Sequence, residues 1–245
     1  FVNRGIKFAL ASILSAMVCA ITLVPVFMIL KNSSATSGTF PETFTSYFDL
    51  LDFITSHFAV LETTIRSSGD NVLPNVYTGI LTLVLLPLFL VNDKIRIKDK
   101  VIYVLLLVFF VFCFNNNCAN YIWHAFHFPN DLPYRFSYMY SFIIAAMGYR
   151  TITNLKGIKA KDITYVGLAL IAVVVICQKF LTNKMTNVTI YATIILIALW
   201  CGYLLLSKNK SAPKKLLSAT LVIFLICETV ISSIIANKRC IQGKL

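Results

Sequence analysis

One short run holds most of the side chains in this sequence that could do chemistry. It reads Trp123-His124-Ala125-Phe126-His127-Phe128-Pro129-Asn130-Asp131-Leu132-Pro133-Tyr134-Arg135-Phe136-Ser137-Tyr138. His124 and His127 stand three residues apart. As read from chemistry alone they are ligands, acid/base groups, or the polar edge of an aromatic belt. Arg135 is the single basic residue of the run, set between Tyr134 and Phe136. A charge at the mouth of an apolar segment is costly unless it snorkels to water or meets an anion. The planar guanidinium is suited to bidentate contact with phosphate. Pro129 and Pro133 predict a stiff, non-helical approach to the next segment. Such a loop suits a lipid-linked phosphate or sugar.

Two acidic features stand apart. Glu228 is the only acidic residue inside an apolar block. Carboxylates in such places serve function or need a partner, here Arg135 or a lysine. Asp49 and Asp52 are spaced to share one helical face. They read as a metal-binding or acid/base pair, or as the solvated side of a helix lying in a membrane interface. No Cys/His spacing points to a metal, and no cofactor is expected. Among the cysteines only Cys118 and Cys240 fall near a predicted surface, and a bridge between them is not favoured.

The elements that position these residues follow from composition. The chain is 58% hydrophobic and 13% charged, with apolar blocks near the ~20 residues that a bilayer core requires. In lipid such blocks must be helical, because each backbone polar group needs an internal partner. The fold class is therefore an all-α, polytopic transmembrane bundle of about seven spans: 5–30, 75–92, 101–115, 134–150, 163–180, 189–207 and 216–236. Pro25 and Pro87 are expected to kink their spans. The net charge of +12 does not indicate nucleic acid, since the basic residues lie in short loops and not on a basic helix or aromatic-laced patch.

Loops 93–100, 150–162 and 208–215 each hold four Lys or Arg, whereas loop 116–133 holds none and loop 31–74 only two. The basic loops belong in the cytoplasm. That puts the N-terminal end inside, loops 31–74 and 116–133 outside, and the C-terminal end outside. Loop 31–74 carries aromatic and apolar residues at 44, 47, 48, 51 and 54, the spacing of an interfacial helix. The chain reads as one transmembrane domain over 1–245, and its abrupt ends read as those of an internal piece of a longer protein.

The Trp123–Tyr138 run resembles the YfhO family of bacterial membrane proteins, which has a similar W-H-x-F-x-x-P-N-x-x-P-Y-R-F-S-F stretch. Leu73-Pro74-Asn75-Val76-Tyr77-Thr78-Gly79-Ile80-Leu81 is similar to that family's L-P-N-I-Y-x-G-L-L, and Glu228 fits a weaker third position. The resemblance implies a GT-C-like glycosyltransferase fold in the bacterial plasma membrane. It also implies an outer-face enzyme that transfers a sugar from a polyprenyl-phosphate donor to lipoteichoic acid or a similar cell-envelope polymer. The catalytic acidic residue it implies lies in a loop upstream of Phe1, so Asp49 and Asp52 do not inherit that role. Arg135 is then expected to neutralise the lipid phosphate, with His124 and Asn130 positioning donor or acceptor. Tyr77, Trp123 and Tyr134 would stack on sugars or lie against lipid, and Asn75 and Glu228 complete the expected substrate-binding set. Two other readings compete: a transporter or flippase for a lipid-linked or amphipathic substrate, and a non-catalytic assembly partner.

Overall fold

A computed structural model describes residues 2–31, 39–61, 72–124, 126–128, 134–181, 185–209 and 212–242. It is all helical. The helices are α1 (Val2–Val18), α2 (Ala20–Lys31), α3 (Leu50–Thr55), α4 (Ile80–Val91), α5 (Ile97–Asn115), α6 (Asn117–Trp123), α7 (Ser137–Thr153), α8 (Ala160–Phe180), α9 (Asn187–Ser207) and α10 (Lys214–Gln242). Three of them, Ala160–Phe180, Asn187–Ser207 and the Lys215–Ile234 part of α10, are long and apolar enough to cross a membrane. Taken as one bent span, α1 and α2 make a fourth. The bend is 70°. It falls at Cys19, about a turn and a half before Pro25, and not at the proline where the kink was expected.

The centre of the bundle is α4, packed on α7, α8 and α9. Ile80, Leu81, Val84, Leu85 and Leu88 are buried here against Ile163, Val174, Ile197 and Trp200. The α8–α9 seam is close because position 167 is glycine: a Cβ there would lie 2.8 Å from the Cys201 sulfur. By contrast α1 buries no side chain and the spanning part of α10 is 6% buried. Apolar helices exposed in this way have lipid as their natural solvent.

Loop contacts sort the helix ends into two groups. At the lysine-rich end, the Asp93 N–H donates to the Gly157 carbonyl at 3.0 Å. Asn92 reaches the Asn154 carbonyl at 3.1 Å, and Lys208 Nζ reaches the Leu155 and Ile158 carbonyls. At the aromatic end, the Tyr47 N–H meets the Asn115 carbonyl at 3.2 Å. There the Ala59 N–H donates to Thr193 Oγ1 at 3.1 Å, and His57 Nε2 lies 3.1 Å from the Tyr140 hydroxyl.

Two expectations change. Loop 31–74 does not carry an interfacial helix across 44–54. Among the described residues its helix is the six-residue α3, which turns Phe53 into the bundle, 5.6 Å from Tyr140 and 6.2 Å from Phe114. Aromatic burial against α5 and α7 outweighs laying the same face on lipid. The span expected over 75–92 is helical only from Ile80. Residues 72–79 enter the bundle without helical structure.

Candidate functional site

At the aromatic end α6 starts at a capped turn, where Asn116 Oδ1 accepts the Ala119 N–H at 3.0 Å. The cap supplies a partner for one of the open N–H groups of the first turn. The helix delivers Trp123 onto Phe136, with ring centroids 4.8 Å apart and planes 9° apart. Phe136 also stacks on Phe114 at 4.9 Å. Tyr134 packs edge-on to Phe114 at 5.9 Å and to Phe48 at 6.1 Å. Tyr134 and Phe136 are thus buried anchors, and the residue between them, Arg135, is exposed.

His124 follows directly after α6. Its ring lies 5.9 Å from Phe136 and 6.3 Å from His127. Nδ1 is 2.8 Å from the Asn120 carbonyl, which assigns the ring proton to Nδ1 and leaves Nε2 an acceptor. Nε2 is buried with no hydrogen-bond partner among the described residues. Burial lowers the His124 pKa, opposed by the Asn120 bond and aided by the charges of His127 and Arg135. The imidazole is therefore neutral near pH 7, with an acceptor lone pair beside a guanidinium. Asn130 lies outside the described residues, as do Pro129 and Pro133.

The second group is built on the strap 72–79. Val76 joins the aromatic cluster of Phe114, Tyr134 and Phe136, whereas Tyr77 turns toward α10. The Tyr77 hydroxyl donates to Glu228 Oε1 at 2.6 Å and also bonds Ser232. The Ile80 N–H, the first of α4, donates to the same oxygen at 2.6 Å. Trp200 Nε1 donates to Oε2 at 2.9 Å. Glu228 is 6% exposed. Its partners among the described residues are neutral donors, and not the Arg135 or lysine of the structural alternative. The carboxyl caps the positive end of a helix dipole and accepts three hydrogen bonds.

The cradle lies deep in the bundle. The 12 residues of α4 span only about 18 Å, short of the ~30 Å of a bilayer core. Glu228 is about 21 Å along α10 from Lys214. Non-helical backbone at such depth is tolerated only when buried in protein, and Val76 has no exposure. Gly79 makes the turn from strap to helix at φ +90°, a region that side chains disfavour. A Cβ at this position would also sit 3.4 Å from Glu228 Oε1. Pro74, Asn75, Tyr77 and Gly79 of the second motif are therefore strap residues, with Asn75 exposed. Sequence reading missed Trp200. The usable signal was an indole in a span, whose N–H must find an acceptor.

Asp49 and Asp52 differ in burial. Asp49 is exposed at the start of α3, and Asp52 is 4% exposed on its inner side. Cys118 is a free thiol. Among the described residues no three His, Cys, Asp or Glu side chains converge as a metal site would require.

Apolar helices with lipid-facing surfaces, a short central helix entered by a non-helical strap and a polar-aromatic cluster at one end define a multi-pass, all-α membrane protein. Residues 1–242 match the family described as Bacterial membrane protein YfhO, and the chain belongs to that family. No curated protein and no solved structure matches it.

Proposed function

We propose that the protein is a GT-C-like glycosyltransferase of the bacterial plasma membrane. It moves a sugar from a polyprenyl-phosphate donor to lipoteichoic acid or a similar envelope polymer. The bundle has seven spans, with the N-terminal end cytoplasmic and the aromatic end and C-terminal end external. Family membership supports the class. The observation that carries the site is Arg135, turned outward between two buried aromatic anchors beside a neutral His124.

In the reaction the bond from the anomeric carbon to the phosphate oxygen breaks, and polyprenyl phosphate leaves with the electron pair. An acceptor hydroxyl oxygen bonds to that carbon, and its proton passes to an external-loop carboxylate. Arg135 offsets the charge that grows on the leaving phosphate. His124 Nε2 accepts a hydrogen bond from a sugar hydroxyl, with Asn130 and Asn75 as further polar contacts. Trp123 forms the aromatic wall, with Tyr134 packed behind it. Tyr77 and Glu228 hold the strap in place.

One observation favours transport of a lipid-linked substrate instead: the non-helical strap 72–79 enters the bundle ahead of α4, and unwound backbone lines the sites of transporters. Proteoliposomes loaded with a labelled polyprenyl-phosphate sugar separate the two. The enzyme reading predicts label on added acceptor polymer. Label that crosses the bilayer and is never transferred contradicts it.

A further inference from the structure

We propose that an anionic phospholipid docks between α9 and α10 at the lysine-rich end, opposite the aromatic cluster. An apolar groove of about 460 Å³ runs between these helices past Leu199, Gly202, Leu206 and Leu216. Its mouth adjoins a cleft of about 380 Å³ that contains Lys156 and Lys208. Groove and cleft share Ala212 and Leu217, so one molecule can occupy both. The groove is open where a side chain would otherwise close it: a Cβ on Gly202 would meet nothing within 4 Å. Leu199, Leu206 and Leu216 are exposed on its walls. In a bilayer an acyl chain fills such a space.

Charge at the mouth chooses the headgroup. Lys208 Nζ spends two of its three N–H donors on the Leu155 and Ile158 carbonyls. Those bonds fix the ammonium at the cleft with one donor left, so little ordering remains to be done when a phosphate arrives. Lys156 is exposed at the same cleft, and Lys215 is exposed in the first turn of α10. Basic pockets between spans recognise anionic headgroups, and a zwitterionic lipid would bring its own cation against the lysines.

The test strips lipid from the purified protein. Phosphatidylglycerol or phosphatidylcholine with the same acyl chains is then titrated in, and bound lipid is counted by native mass spectrometry. Phosphatidylglycerol should be held about tenfold more tightly. Lys156→Gln, which disturbs no described contact, should reduce that preference. Gly202→Leu should block the groove and lose both lipids, while its lipid-free melting temperature matches the wild type. Equal retention of the two lipids, or unaltered retention in Gly202→Leu, overturns the proposal. Full competition by glycerol phosphate, which has no acyl chain, also overturns it by reducing the site to an anion pocket. Cross-linking from the groove to a second protein copy in place of lipid has the same effect.

Discussion

Glu228 accepts three donors on two oxygens, and this sets what its substitution does. Glutamine keeps one acceptor oxygen and turns an amide toward the donors on the other side. A buried donor left without a partner costs about 1–3 kcal/mol. Glu228→Gln should therefore lower stability by that amount, read as a fall in melting temperature in detergent. A melt unchanged from wild type would remove the cradle from the account. Gly79→Ala should cost about 1–3 kcal/mol through its positive φ, with the added contact to Glu228 Oε1. The sequence marked Glu228 as unusual and left open a functional role or a pairing with Arg135 or a lysine. A carboxyl group inside a span shows only that a partner is needed. Here an indole, a phenol and a backbone N–H fill that need, and two of these belong to residues that read as apolar or aromatic surface.

The elements that carry the site are the short ones. Hydropathy located the long helices well, because length and apolarity are what a bilayer demands of them. It merged strap residues 75–79 into a span, since buried strap and buried helix have the same composition. It also left α6 unseen, although Asn116 is a standard N-cap type. In α3 the aromatic spacing was correctly helical, but the surface it packs on is protein and not lipid. That packing has a pH signature. His57 lies just after α3, and burial lowers its pKa to about 4 against the hydrogen bonds that its Nδ1–H gives to the Phe53 and Ile54 carbonyls. The folded state holds the ring neutral, so its stability is complete above the ordinary histidine value of 6.5. It is lost as pH falls from there toward 4, because the unfolded chain binds the proton first. By pH 5 the loss is at most about 2 kcal/mol. Hydrogen exchange across residues 50–60, corrected for intrinsic rate, should accelerate between pH 7 and pH 5. Unchanged protection would mean that His57 is not neutral in the fold.

At the scale of the whole molecule, the two ends of the bundle differ in kind. One end gathers lysines and backbone carbonyls. The other gathers stacked rings, the three histidines and Arg135. Charge counting along the sequence anticipated this division, and the strap joins the aromatic end to the interior through Val76 and Tyr77. The account places sugar transfer at the aromatic end, with the Glu228 cradle as its support, and this makes the two sites separable. The most direct test is the rate of sugar transfer to envelope polymer by the Arg135→Ala protein at matched expression and melting temperature. The rate should fall about a hundredfold or more, as when one charge-stabilising donor is removed. Arg135→Lys should recover only part of it, since a point charge replaces a planar fork. Transfer by Arg135→Ala at the wild-type rate would contradict the account.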